Sequence, residues 1–188
     1  MDITELLKKY GLTFNQIEEI SSKLIPISLK KGEIFIKYGD KTQKLGILIN
    51  GLLYSTYRSE DGREWVSRFF YLPKNFIVSN HECFFFNKNS SESIMAYEDS
   101  QLLSINKRDF ENLMDNYTQF ERIVRILAEE SYIQALNRIH ILQSLTAEQR
   151  VKKFISEHKD LVLKVQRNLI ASYLGIHRNI LTRIFNKL

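Results

Sequence analysis

Near the end of the chain, Arg178, Asn179, Thr182 and Arg183 have the types and spacing of a surface that reads nucleic-acid bases. Positions i, i+1, i+4 and i+5 share one side of a helix, here opposite Ile180, Leu181, Ile184 and Leu188. A guanidinium matches guanine O6/N7 and a carboxamide matches adenine, each through two hydrogen bonds in the major groove. His177 stands at the start of this helix, where the N-terminus favours a phosphate, and Arg167 adds a cation one short helix earlier. Gly175 suits the tight turn between the two helices. The competing reading is a pair of ordinary solvated arginines on a helix that only closes a core.

The charge distribution favours the first reading. Residues 146–188 carry nine Lys and Arg against three Asp and Glu, a net of +6, whereas residues 1–145 net −1. A basic segment on a neutral body is the electrostatic footprint of a polyanion binder. No acidic residue follows Val165.

Other chemistries find little support. One cysteine, Cys83, cannot form an internal disulfide or hold an iron–sulfur cluster. His81-Glu82-Cys83 has no second histidine at metal-ligand spacing and is read as an extended segment whose neighbours point to opposite faces, so no metal site is expected. No carboxylate pair, Ser/His/Asp set or glycine-rich phosphate loop stands out, and an enzyme is not expected. No apolar run approaches the roughly 18 residues that span a bilayer, and the acidic Met1-Asp2-Ile3-Thr4-Glu5 start is unlike a signal peptide, so a cytoplasmic protein is expected.

The elements that must carry these residues follow from periodicity. Ile3, Leu6, Leu7, Leu12, Phe14, Ile17, Ile20 and Leu24 have helical spacing broken at Gly11, with Thr13 as an N-cap. From Ile25 to Ile105 the period shortens to that of strands: 25–29, 34–37, 45–49, 53–57, 65–70, 93–97 and 101–105 are β-branched or aromatic and roughly alternate. Gly32, Gly39, Gly51 and Gly62 mark turns between them. Short strands at regular intervals predict a sandwich or barrel. Residues 76–91 are irregular and suit a loop-borne site. The helical period returns from Lys107 with Asn106 as N-cap, a break is expected after Tyr117, and Phe120–Leu142 contains neither Gly nor Pro. A helix of that length commonly joins domains or pairs with its twin; Phe120, Ile123, Val124, Leu127, Leu136 and Ile139 are its expected pairing residues. Thr146 caps a further helix to about His158, and short helices are expected over about 166–173 and 177–186.

This order of parts resembles the Crp/Fnr family of bacterial transcription regulators, over almost the whole chain. The resemblance rests on Lys31-Gly32-Glu33-Ile34-Phe35, Gly39-Asp40, Gly51-Leu52-Leu53, Asp61-Gly62-Arg63-Glu64 and Ala96-Tyr97-Glu98-Asp99-Ser100-Gln101-Leu102-Leu103, then Ile170-Ala171-Ser172-Tyr173-Leu174-Gly175-Ile176 and Leu181-Thr182-Arg183-Ile184. The short form is similar to a Bacteroidetes-type branch. It implies an α+β chain: N-terminal helices and a cyclic-nucleotide-binding-like jelly roll, or double-stranded β-helix, over 1–107, a long dimerisation helix over 108–145, and a helix-turn-helix domain over 146–188 without an obvious wing. It further implies a homodimer on two-fold symmetric double-stranded DNA, RNA polymerase as another partner, and Arg178, Asn179 and Arg183 at base-reading positions. Without a wing, fewer phosphate contacts and more dimer-dependent binding are expected.

The chain departs from the family where cyclic AMP is held. Counting back from Ala96-Tyr97-Glu98-Asp99, the Arg-Ser position of the phosphate cassette falls on Ser90-Ser91 and its Gly-Glu position on Ser79-Asn80. Ala135 and Leu136 stand where a base-contacting Thr or Ser is expected. A phosphodiester buried without a cation keeps its desolvation cost, so cyclic AMP is disfavoured and an unidentified effector is expected near Ser79, Asn80, Ser90, Ser91 and Ala135. No other cofactor is evident. The rival reading is a ligand-binding or protein-interaction module whose helix-turn-helix no longer binds DNA.

Overall fold

The computed structural model describes residues 3–187. Leu188 and Met1-Asp2, and the side chain of Leu6, lie outside the described residues. Helices α1 (Ile3–Lys9) and α2 (Phe14–Ser22) come first, and Thr13 caps α2 by accepting from the Gln16 N–H while Gln16 bonds back to Thr13 N.

Strands β1 (Ile25–Leu29), β2 (Ile34–Ile36), β3 (Lys44–Asn50), β4 (Leu52–Arg58), β5 (Glu64–Tyr71), β6 (Ile77–Val78), β7 (Glu92–Ala96) and β8 (Ser100–Asn106) form two antiparallel four-stranded sheets. Their orders are β1-β8-β3-β6 and β2-β7-β4-β5. Alternation along the strands turns Leu48, Leu53, Phe70, Ile94 and Leu102 into one shared core. The β3–β4 turn requires glycine: Gly51 has φ +104°, and a Cβ there would stand 2.7 Å from the Ser100 Cα.

After the roll come α4 (Lys107–Asn116), capped by Asn106, and the 27-residue α5 (Thr118–Ser144), separated at Tyr117 as expected. The first turns of α5 are used within the protomer. Phe120 and Ile123 are buried with Leu45, Phe84, Ile105, Phe110 and Leu113, and Val124 and Leu127 pack on the same cluster. Four of the six expected pairing residues therefore cover their own β-roll, because apolar periodicity identifies a buried face without identifying what buries it. Leu136 and Ile139 are exposed, as are Tyr132 and Ile133 beside them.

Four helices complete the chain: α6 (Ala147–Glu157), with Thr146 in a capping box, α7 (Lys159–Lys164), α8 (Arg167–Leu174) and α9 (Arg178–Phe185). They do not have a core of their own. Val151, Phe154, Leu161, Ile170, Leu174 and Leu181 share one apolar cluster with Leu52, Val66, Phe69 and Tyr71 of the β4–β5 hairpin. Polar contacts reinforce this docking: the Val66 N–H donates to Ser172 Oγ at 2.8 Å, and the Tyr97 hydroxyl donates to the Lys164 carbonyl while accepting from Gln166 N. Ser172→Ala leaves the Val66 N–H without its acceptor and is expected to weaken docking by about 1–3 kcal/mol. Faster hydrogen exchange at Val66, with the β1–β8 amides unchanged, is the signature; an unchanged Val66 rate argues against that role.

Tyr71 and His158 hydrogen-bond across the same seam. The imidazole with its hydrogen on Nε2 accepts from the Tyr71 hydroxyl at Nδ1, and its Nε2 stands 4.0 Å from Glu157 Oε2. Burial, and then Lys74, hold the His158 pKa below its ordinary 6.5; Glu157 opposes them and Lys153 adds to them. Burial pushes Tyr71 up to about 12, so the phenol stays protonated. A folded pKa below the unfolded one means that the unfolded chain takes up the proton first as pH falls. This contribution is full above pH 6.5 and is lost between 6.5 and the lower folded value. The urea midpoint is expected to fall as pH is lowered from about 7.5 to about 5.5, and His158→Gln to reduce that fall without abolishing it, since His81 is shifted in the same direction; an equal fall in the variant removes His158 as a source.

Candidate nucleic-acid interface and effector cavity

Gly175 ends α8 in the left-handed region at φ +63°, its N–H bonding back to Ala171 and Ser172 carbonyls, and the chain turns into α9. His177 caps α9, its Nδ1 accepting from the Asn179 N–H at 3.3 Å. Leu181 and Ile184 are buried against α6 and α8, which leaves the other side of α9 to solvent. On that side Arg178, Asn179, Thr182 and Arg183 line one shallow surface groove with Asn186 and Lys187. Arg178, Asn179 and Arg183 are exposed, and among the described residues neither arginine has a salt bridge. Arg167 stands apart from this groove, its guanidinium 5.1 Å from the centre of the Phe185 ring.

The expected effector residues do not share one cavity. Ala135 lines a space of about 170 Å³ between β5, β6 and α5, with Arg68, Phe70, His81, Ser131 and Gln134. Ser90 and Ser91 instead border a shallow outer depression beside Tyr38 and Tyr57. Asn80 is buried and caps a helix, its Oδ1 accepting from the Cys83 N–H at 3.0 Å. Ser79 is buried with its hydroxyl unpaired.

That capped helix, α3 (His81–Phe86), replaces the extended segment expected here. His81 and Cys83 therefore point to opposite sides of a helix rather than sharing one face as they would on a strand. The Cys83 thiol is buried and accepts from the Thr42 N–H at 2.9 Å. Among the described residues no group of three His, Cys, Asp or Glu could hold a metal ion, and no helix is long and apolar enough to cross a membrane.

Arg68 was not legible in the sequence as part of the cassette region. It reaches from β5 to the Ser79 carbonyl at 3.3 Å and to Glu92 at 3.4 Å, with its guanidinium 5.2 Å from the Phe70 ring centre. A cation therefore does stand beside the missing Arg-Ser position, contrary to expectation, but it is already paired. Burial and Arg68 lower the His81 pKa against the opposing pull of Glu92, so His81 is a neutral hydrogen-bonding group near pH 7. The cavity can take a small ligand whose polar end meets Arg68, His81, Ser131 or Gln134. An anion at Arg68 would have to compete with Glu92.

Residues 26–117 match the family model described as the cyclic nucleotide-binding domain. Among solved structures, FixK2 from Bradyrhizobium japonicum is similar with a TM-score of 0.76 and 19% identity, over 88% of this chain and 84% of that one. The regulator CLP of Xanthomonas campestris, described as c-di-GMP responsive, gives 0.75 and 15% over 93% and 91%. A protein from Eubacterium rectale assigned to the Crp/Fnr family of transcriptional regulators gives 0.72 and 23% over 94% and 83%. No curated protein sequence matches the chain. At these identities the shared property is the fold.

Proposed function

We propose that this protein is a DNA-binding transcription regulator: residues 26–117 match the cyclic nucleotide-binding domain model, and most of the chain shares its fold with Crp/Fnr regulators. One observation carries the reading: α9 buries Leu181 and Ile184 and presents two arginines, without salt bridges among the described residues, with Asn179 and Thr182 on one open edge. Two protomers paired along the exposed part of α5 would set two such edges into successive major grooves, about 34 Å apart. Arg178, Asn179 and Arg183 read base edges, Thr182 supports them, and His177 lies by phosphate. Arg167 is a backbone contact rather than a base reader, since it leans on Phe185.

The chain divides functionally into the β-roll with its preceding helices, the long helix, and the docked C-terminal helices. An effector in the Arg68 cavity would act on α5 through Ser131, Gln134 and Ala135. It must bind two dimer states with different affinity to have any effect. The Arg68–Glu92 pair and the lack of a phosphate-holding arginine at Ser90 support an effector other than cyclic AMP.

Selection from a randomised double-stranded DNA pool tests the reading, with the purified full chain over a salt series. Enrichment of a two-fold symmetric site is expected, with affinity falling steeply as salt rises. No enriched sequence at low salt would refute it and put the interaction-module reading first.

A further inference from the structure

A second cavity, of about 320 Å³, lies where α5, α6, the end of α8 and the loop after β5 meet. It adjoins the Arg68 cavity, with Arg138 lining both. Its walls bring together Lys74, Arg138, Arg150 and Lys153 with the rings of Phe154 and Tyr173. Glu157, the one carboxylate in the lining, is paired with Lys153 at 2.7 Å. Among the described residues Lys74, Arg138 and Arg150 have no salt bridge.

Each of these three cations leans instead on a backbone carbonyl. Lys74 donates to Glu157 O at 3.1 Å, Arg138 to Tyr173 O at 2.8 Å and Arg150 to Leu174 O at 2.8 Å. Carbonyls orient the side chains but do not neutralise them. Arg150 Nε is buried without a hydrogen-bond partner; among the described residues only Ser79 Oγ shares that condition. A buried donor left unpaired costs about 1–3 kcal/mol, more when charged, and native proteins leave few of them. Three uncompensated cations around one such donor define a site for an anion with several oxygens. A guanidinium fork matches phosphate in particular.

The remaining wall selects the rest of the ligand. Tyr173 already stacks on the Arg138 guanidinium at 3.8 Å, and Phe154 stands 5.6 Å from the Tyr173 ring. We infer that this cavity binds a phosphate monoester carrying an aromatic ring: the phosphate meets Arg150, Arg138 and Lys74, and the ring packs by Phe154 and Tyr173. The volume is at the small end of the roughly 300–1,000 Å³ range of ligand pockets, which suits one phosphate and a compact organic group. Because its walls come from the β-roll side, α5, α6 and α8, the bound ligand would hold the docked helices in place. That regulatory consequence rests on the DNA-binding reading, whereas binding itself does not.

Calorimetric titration of the purified full chain, without DNA, tests the site with adenosine 5′-monophosphate as probe. Arg178→Ala/Arg183→Ala serves as the background, so that the α9 edge cannot supply the binding. The monophosphate is expected to bind at least about tenfold more tightly than either inorganic phosphate or adenosine, a difference of about 1.4 kcal/mol. Arg150→Gln and Lys74→Gln should each weaken it by about tenfold, and Arg68→Gln should not. Lys74 is exposed, so its variant carries the test if Arg150→Gln does not fold. Absence of binding at millimolar monophosphate, equal affinity for inorganic phosphate, or unchanged affinity in the Lys74 variant overturns the inference. None of these results bears on the DNA selection, so the two readings fail separately.

Discussion

Arg178→Ala/Arg183→Ala is expected to lower affinity of the dimer for the selected operator by about 10³-fold or more while leaving the fold intact. Each bidentate arginine–guanine contact contributes about 1–3 kcal/mol of discrimination, so two per protomer, four per dimer, give about 4–12 kcal/mol. Both side chains are exposed and, among the described residues, neither bridges to an acid, so the effect is expected on binding and not on stability. Thermal unfolding of the variant should match wild type. Non-specific DNA should be affected less, because only charge is removed there, and its salt slope should become shallower by about one unit for each phosphate that the variant no longer reaches. A decrease below about threefold on the operator, at equal folding, would mean that α9 is not the reading surface.

Leu136→Glu/Ile139→Glu is expected to convert a dimer into a monomer at micromolar concentration. Tyr132, Ile133, Leu136 and Ile139 expose apolar surface on adjacent turns of α5, at 65%, 56%, 37% and 47% of their full accessibility. Such a run on a helix of 27 residues would serve as the pairing face of the proposed dimer, and two-fold symmetry would place both copies of each residue at one seam. Burying a leucine or isoleucine side chain contributes about 1.5–3 kcal/mol. Four glutamates meeting there would remove that gain and repel one another. Weakening of the dimer by about 100-fold or more should appear in sedimentation velocity, with helical circular dichroism unchanged. Operator binding should fall with it, since one half-site alone holds a monomer weakly. A wild-type chain that sediments as a monomer, or a variant that stays dimeric, would remove α5 as the pairing element.

Much of the architecture was legible because it depends on local chemistry. Asn106, Thr13 and Thr146 were recognisable as caps from a side-chain oxygen three residues before a bonded N–H, and all three make that bond. The strands declared themselves by alternation, and Gly175 by its place between two short apolar helices. Helix α3 was not legible, since six residues give less than two turns of periodicity and Phe84-Phe85-Phe86 is apolar at every phase. Its boundary residues, Asn80 and Asn87, resemble loop polarity when no helix is visible between them. Helix α7 was hidden similarly, because His158 closes α6 and opens α7 at once. The role of Arg68 depends on Glu92 and Ser79 meeting it across the roll, and the burial of Phe120 and Ile123 depends on α3 and α4. Those are relations between distant segments, which no single stretch of sequence contains. The α9 edge was readable for the opposite reason: one short run, from Arg178 to Arg183, holds it all.

The shared apolar cluster between the β4–β5 hairpin and the C-terminal helices divides evolutionary freedom unevenly. Val66 and Phe69 on one side, and Phe154, Ile170 and Leu174 on the other, can change only in matched steps, because each fills space left by its partner. The outer edge of α9 touches none of them. If α9 reads DNA as proposed, new operator preferences could be acquired by rewriting Arg178, Asn179, Thr182 and Arg183 alone, whereas transplanting the whole C-terminal segment onto another roll would carry half a lock without its counterpart.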